Sequence, residues 1–302
     1  MAATEQTGLR GELLENEPLA RHTTWRVGGP ARRFYRPADG DDLVAFLRRL
    51  PADEPLLWLG LGSNLLVRDG GFPGTVIATS GRLQRLERAG DDMIRAEAGA
   101  SCAAVARFAA RAGGTGLEFL AGIPGTLGGA LAMNAGAFGG ETWERVREVE
   151  TVDRRGVVRR RGPEAFEVGY RSVTGPAGEW YLAALLAVGE GDVERARGRI
   201  RSLLERRNAT QPVGQPSCGS VFRNPEGDHA ARLIEAAGLK GRRLGGAQVS
   251  EKHANFIINT GGASAAEIEE LIEQVRSTVR AASGVELQTE VRIVGVVAEE
   301  RR

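Results

Sequence analysis

Residues Ala121 to Gly140, AGIPGTLGGALAMNAGAFGG, hold seven glycines and no charged side chain. Glycine costs about 0.5–1 kcal/mol per residue in regular structure relative to alanine, so such a density calls for a local reason: left-handed backbone, or the close approach of a large partner. A second bare segment precedes it, Gly60-Leu61-Gly62-Ser63-Asn64. Successive backbone N–H groups in a turn between strands form a concave anion site, to which Ser63 and Asn64 add polar side chains. One pyrophosphate-bearing cofactor lying across both segments accounts for the two together; plain hairpin turns account for each taken singly.

Other phosphate and nucleophile motifs are absent. Gly60-Leu61-Gly62 opens like a dinucleotide fingerprint, but Leu65 stands where the third glycine belongs and a strand rather than a helix follows. The chain has no Gly-Lys-Ser/Thr phosphate loop, no paired-histidine metal motif and no serine elbow. Cys102 and Cys218 lie far apart without ligand spacing, which predicts neither a disulfide framework nor a zinc site. The uncharged run from Phe119 to Gly140 is long enough to cross a bilayer, yet Pro124, Asn134 and the glycines deprive it of the required apolar side chains.

The elements that must position these segments follow from periodicity. Asp41–Leu50 carries Leu43, Phe46, Leu47 and Leu50 at helical spacing. From Pro55 to Thr79 the pattern is strand, turn, strand, turn, strand. Ser101 caps a helix to Ala112 with Val105, Phe108 and Ala109 inward. Glu148–Arg160 reads as a hairpin around Asp153–Gly156, Trp180–Val188 as an apolar strand, and Asp192–Arg207 as a charged connecting helix. Beyond it come a helix over Ala230–Ala237 and a buried strand over Ala254–Asn259. Ser264-Ala265-Ala266-Glu267 is a capping box for a helix burying Ile268, Leu271, Ile272, Val275 and Val279, ended by Gly284. A long strand, VELQTEVRIVGVV, is expected to close the chain.

At 302 residues two or three domains are expected. The main boundary is placed near residue 200: 1–200, with subdomains of about 1–80 and 81–200, and 201–302. Lys plus Arg at 40 nearly cancels Asp plus Glu at 39, so no net field favours nucleic acid or an anionic membrane. The N-terminal segment, with Glu5, Glu12, Glu15 and Glu17, lacks the apolar core of a secretory signal, and a soluble cytoplasmic protein is expected.

GLGSNLLV at 60–67, the run at 121–141, Tyr170-Arg171, PSCGSVFRNP at 216–225 and EVRIVG at 290–295 together resemble the UDP-N-acetylenolpyruvoylglucosamine reductase (MurB) family, flavoproteins of peptidoglycan synthesis. The motifs occur in order over nearly the whole chain. The resemblance implies an α+β fold: a two-subdomain FAD-binding portion of the vanillyl-alcohol oxidase-like (PCMH) type, followed by a C-terminal α+β substrate domain. It also implies non-covalent FAD reduced by NADPH, with UDP-N-acetylglucosamine enolpyruvate reduced in turn to UDP-N-acetylmuramate in the cytoplasm, with neither nucleic acid nor membrane insertion involved. FAD contacts fall on Gly60, Gly62, Ser63, Asn64, Leu65, Gly122, Ile123, Pro124, Gly125, Gly128, Gly129, Asn134 and Gly136.

By the same resemblance Arg171 polarises the substrate carboxylate, Ser220 is the proton donor and Glu290 is a carboxylate directed into the active site, while Tyr170, Arg223 and Asn224 touch substrate. Taken alone, Ser220 reads as a turn hydroxyl and Arg171 as a surface residue. Glu290, which shares strand parity with Glu286, Gln288 and Arg292, reads as part of a solvated face. Lys252-His253-Ala254-Asn255 is a further substrate-side segment, with His253 outside the catalytic set. Tyrosines occur only at 35, 170 and 181, so the chain is similar to the family form without a tyrosine-bearing substrate loop.

Overall fold

The computed structural model describes residues 8–298; Glu5, within the acidic N-terminal segment, lies outside them. The chain divides into two compact units. One comprises the residues up to Leu14 with Arg33–Gly60 and Thr75–Arg206; the other comprises Glu15–Arg32, Leu61–Gly74 and the chain from Arg207 onward.

In the first unit α1 (Gly40–Leu47) starts where Asp39 accepts a hydrogen bond from the Asp42 amide at 2.9 Å. Its apolar face meets Tyr35, which stacks on Phe46 at 3.7 Å and donates its hydroxyl to Asp42 at 2.5 Å. These residues, with Leu43, Leu47, Ile77, Leu83, Val152 and Leu182, form one buried cluster. Beside it Leu56–Leu59 pairs in parallel with Thr75–Ala78.

A five-stranded antiparallel sheet supports the glycine-rich run. Its order is Val158–Arg161, Val146–Asp153, Glu179–Ala187, Met93–Glu97, Leu86–Arg88. Glu179–Ala187 is central in this order, which explains why its sequence reads as a near-continuous apolar run rather than an alternating one. Against the sheet pack α2 (Cys102–Arg111), capped by Ser101, and the short α3 (Leu127–Ala132), capped by Thr126. The connecting helix α4 (Val193–Thr210) buries Ala196, Ile200 and Leu203.

The second unit is built around α5 (Ala230–Ala236) and α6 (Ala265–Ser283). The expected capping box is present: the Glu267 amide donates to Ser264 Oγ at 3.1 Å and the Ser264 amide to Glu267 Oε2 at 3.1 Å. Gly284 closes α6 in the left-handed conformation, φ 74°. Ile268, Leu271, Ile272, Val275 and Val279 are all buried, with Trp25, Phe222, Leu233 and Val249 in the same cluster.

The C-terminal segment departs from the expected long strand. Only Arg292–Val294 forms one, parallel to Leu65–Val67. Before it, Thr289 bridges Phe222, the Arg223 amide donates to Gln288 O at 2.9 Å, and the Glu290 amide donates to Val221 O at 2.8 Å. The chain changes partner at Val291, so no single ladder runs through it. The expected strand over 254–259 is likewise confined to Ile257–Asn259, because Asn255 uses its side chain on the backbone of Phe222.

Among the described residues no helix is long and apolar enough to cross a membrane. The run at 119–140 instead breaks into a short 3-10 turn (Glu118–Gly122), α3 and two-residue strands at Gly136–Ala137 and Gly140–Glu141.

Candidate active site

The glycines of the first unit fall into two groups. Most are required by the protein's own packing. A Cβ on Gly60 would lie 2.3 Å from Thr126 Oγ1, one on Gly122 would enter the Phe138 ring at 2.4 Å, and one on Gly136 would lie 2.7 Å from Gly140 O. One on Gly128 would press on Ala98 Cβ at 3.0 Å and Ala98 O at 3.1 Å.

Gly129 is different. It sits inside α3 with ordinary helical backbone, is exposed, and a Cβ there would meet only Thr126 Oγ1, at 3.7 Å. Nothing in the protein requires glycine at this helical position. Around it Pro124 is also exposed, and Ile123, Gly125 and Gly128 are half-buried, so 123–129 is a strip of nearly bare backbone. The strip is held from beneath: the Leu127 and Gly128 amides donate to Ala100 O and Ala98 O, both at 2.8 Å, and the Cys102 amide donates to Gly125 O at 2.9 Å. Pro124 centres a three-residue turn closed by the Gly125 amide on Ile123 O at 2.9 Å.

Downstream, the run is tied to the hairpin Glu167–Gly169/Ser172–Thr174, whose turn is Tyr170-Arg171. Arg171 Nη1 donates to Asn134 O at 3.3 Å and Nη2 to Gly136 O at 2.9 Å. The guanidinium also lies 5.1 Å from the centre of the Tyr170 ring. Asn134 is 2% exposed, with its side chain occupied inside the protein: Nδ2 donates to Glu141 Oε2 at 2.8 Å and to Gly169 O at 3.1 Å, and Oδ1 accepts from the Trp143 amide at 3.1 Å. Of the residues expected at the site, the fold therefore brings Arg171, Asn134 and Gly136 together.

In the second unit the loop at 61–64 is built from its own contacts. Gly62 has φ 61°, and a Cβ there would strike His22 O at 2.3 Å; its carbonyl accepts from the Thr24 amide at 3.1 Å. Ser63 is half-buried, and Leu65 is buried and begins a strand. Asn64 Nδ2 donates to Glu290 O at 3.1 Å, and Asn64 O accepts from the Arg292 amide at 3.1 Å, so this loop and the segment carrying Glu290 are locked together.

Ser220 follows Gly219, φ 81°, and precedes two residues with fixed backbone. The Val221 amide donates to Asn255 O at 2.9 Å and the Phe222 amide to Asn255 Oδ1 at 3.0 Å, while Asn255 Nδ2 returns to Phe222 O at 2.8 Å. Val221 O also receives the Glu290 amide. Ser220 and Glu290 thus flank one rigid backbone junction, and both are half-buried.

Cys218, two residues before Ser220, is buried, and burial first, then the Glu290 charge, raise its thiol pKa well above the ordinary value. A thiol so raised keeps its proton at neutral pH. Asn224 spends its side-chain oxygen on the Ala230 amide at 3.1 Å, at the start of α5. Arg223 is half-buried with no partner for its Nε. Burial lowers the His253 pKa, its Nδ1 has no partner, and it meets the Phe256 ring edge-on at 4.8 Å. Lys252 Nζ donates to Asn208 O at 2.5 Å, at the end of α4.

Glu141 and Thr126 received no role from the sequence, and Asn255, expected on the substrate side, spends its side chain on the backbone of Phe222. Glu141 had a visible signal as the first charge after the uncharged run. Thr126 is the N-cap of α3, its Oγ1 accepting from the Gly129 amide at 3.4 Å, a signal local in sequence, whereas Asn255 acts through contacts 33 residues away that no local pattern discloses.

Residues 31–162 match the family model described as FAD binding domain, and residues 211–294 that described as UDP-N-acetylenolpyruvoylglucosamine reductase, C-terminal domain. The chain is 66% identical to the UDP-N-acetylenolpyruvoylglucosamine reductase of Alkalilimnicola ehrlichii, over 98% of this chain and 99% of that one. It is 64% identical to that of Methylococcus capsulatus, over 97% of each. A crystal structure of the enzyme from Thermus caldophilus superposes with a TM-score of 0.81 at 34% identity, covering 94% of this chain and 99% of that one. With an α+β fold, an FAD-binding domain and the family's C-terminal domain, this chain belongs to the UDP-N-acetylenolpyruvoylglucosamine reductase family.

Proposed function

We infer that this protein catalyses the NADPH-dependent reduction of UDP-N-acetylglucosamine enolpyruvate to UDP-N-acetylmuramate through bound FAD, a step of peptidoglycan synthesis. The observation that carries the reading is 66% identity to a reductase of that name across essentially the full length of both chains. The residues present fit the cofactor: the strip at 123–129 is nearly bare backbone, and at Gly129 it is exposed with space that no protein atom fills. The contacts we assign to FAD are Gly60, Gly62, Ser63, Asn64, Leu65, Gly122, Ile123, Pro124, Gly125, Gly128, Gly129, Asn134 and Gly136.

FAD, when bound, supplies the relay of hydride from NADPH to the enolpyruvyl double bond. Hydride arriving at the carbon β to the carboxylate drives negative charge onto that carboxylate, and the α-carbon must then gain a proton. Arg171 is assigned to the carboxylate, because a guanidinium stabilises such charge through two parallel hydrogen bonds. Ser220 is assigned as proton donor to the α-carbon. A serine hydroxyl is a weak acid, so its position must be held closely; Asn255 and the Val221–Glu290 backbone bond supply that rigidity on the chain that follows it. Glu290 is assigned as the carboxylate that supports the proton donor, and Tyr170, Arg223 and Asn224 as substrate-side residues. The reaction is placed in the cytoplasm, where NADPH and nucleotide sugars are made.

Both substrates exchange hydride with the same flavin, so they take turns. Initial rates against UDP-N-acetylglucosamine enolpyruvate at several NADPH concentrations are expected to give parallel double-reciprocal lines; intersecting lines contradict the reading.

A further inference from the structure

Arg171 is held in an expensive conformation. Its φ is 53°, and Asn134 and Phe138, in the run to which it is tied, stand at 46° and 54°. Left-handed backbone at a non-glycine residue costs roughly 1–2 kcal/mol and persists only where the surroundings over-determine it. Here Arg171 is held by two backbone carbonyls, those of Asn134 and Gly136, and each of these residues is in turn bonded to Glu141, Asn134 through its side chain and Gly136 through strand pairing.

Glu141 Oε2 accepts from Asn134 Nδ2 at 2.8 Å, and Glu141 Oε1 lies 4.0 Å from Arg171 Nη1. Asn134 in turn presents its backbone carbonyl to Arg171 Nη1. Its amide is already committed to Gly169, at the base of the Tyr170-Arg171 turn, and to Trp143. The Glu141 backbone pairs with Gly136, whose carbonyl receives Arg171 Nη2. One residue therefore steadies both carbonyls that grip the guanidinium and places a countercharge beside it. The Arg171 and Glu141 side chains are 17% and 34% exposed, so the pair is only partly screened by water.

We propose that Glu141 is the positioning residue for Arg171, fixing through Asn134 and Gly136 the orientation in which the guanidinium meets the substrate carboxylate. This rests on the role assigned to Arg171 above. Glu141 touches neither substrate nor cofactor in this scheme, and its effect passes through Arg171. It follows that the half-reaction in which substrate reoxidises the reduced flavin depends on Glu141, whereas reduction of the flavin by NADPH does not.

The test uses the FAD-loaded protein and stopped-flow absorbance, recording bleaching by NADPH and recovery with UDP-N-acetylglucosamine enolpyruvate separately. Glu141→Ala is expected to slow recovery by about tenfold or more while bleaching stays within about twofold. Glu141→Gln, which keeps an acceptor for Asn134, is expected to stay within about threefold of wild type in recovery. In an Arg171→Ala background, Glu141→Ala is expected to add less than about twofold, because both changes remove one interaction.

Unchanged recovery in Glu141→Ala overturns the proposal. So does equal slowing of both half-reactions, or full additivity with Arg171→Ala, either of which marks a general folding role. Failure of the wild type to recover with this substrate overturns the functional reading itself, and the two failures are thereby distinguished.

Discussion

Replacing Gly129 by alanine should stabilise the cofactor-free protein and weaken its hold on FAD. The residue lies within α3 with helical backbone, so alanine gains about 0.5–1 kcal/mol of helix propensity. Its methyl would meet only Thr126 Oγ1, at 3.7 Å, an ordinary contact that subtracts nothing. For a chain of this size that gain corresponds to a rise of roughly 1–2 °C in the melting temperature of the apoprotein. The same methyl would stand on the bare strip assigned to the cofactor and push it away by the radius of a carbon. Overpacking of this kind costs about 1–3 kcal/mol, or a rise in Kd of about fivefold to 150-fold. Calorimetry on apoprotein and flavin fluorescence titration read the two effects separately. Gly128→Ala is the control: its methyl would press on Ala98 Cβ at 3.0 Å and Ala98 O at 3.1 Å, so it should lower the apoprotein melting temperature. An ordinary folding defect lowers stability and affinity together. Unchanged FAD affinity in Gly129→Ala would refute the account of why this glycine is there.

Ser220→Ala is expected to leave NADPH-driven bleaching of the flavin intact while recovery with substrate slows by about 100-fold, the usual range for a lost proton donor; stopped-flow traces in which both phases slow equally would point to misfolding instead. Asn255→Ala removes a buried side chain that satisfies both the amide and the carbonyl of Phe222, so chemical denaturation should report a loss of about 2–4 kcal/mol, and a loss near zero would contradict the rigidity assigned to the Ser220 segment. Arg95 donates two hydrogen bonds to Glu150, at 2.8 and 2.7 Å, and chiefly by them holds that carboxyl below its usual pKa against the opposing effect of burial. A depressed folded pKa gives stability that is complete above the unfolded value, about 4.3, and is lost as pH falls through the folded one. Melting temperatures of Glu150→Gln should therefore converge on wild type in acid, and a constant gap down to the most acidic pH would contradict this.

Local signals in the sequence carried far. The caps at Ser101 and Ser264, the left-handed terminator at Gly284 and the hydrophobic stripe of α6 each depend on residues within a few positions, and each is present. The expected long C-terminal strand failed because alternation says which side chains could share a face, not which partner the backbone meets; at Val291 the partner changes. The bare run was visible, but not which glycines serve the fold and which a ligand. Gly122 is needed because Phe138 folds back on it and Gly128 because Ala98 lies beneath it, contacts fixed only in three dimensions. Glu141 could be seen as a lone charge at the end of the run, whereas its bond to Asn134 depends on the left-handed turn at that residue.

The most direct test of the reductase reading is an anaerobic absorption spectrum of the FAD-loaded protein, taken before NADPH, after NADPH, and after UDP-N-acetylglucosamine enolpyruvate. Bleaching by NADPH, followed by recovery of the oxidised flavin spectrum on adding that substrate and formation of UDP-N-acetylmuramate, is the predicted result. Recovery only on admitting oxygen would contradict it in favour of a flavin oxidase, and absence of a flavin spectrum after incubation with FAD would contradict the cofactor assignment itself.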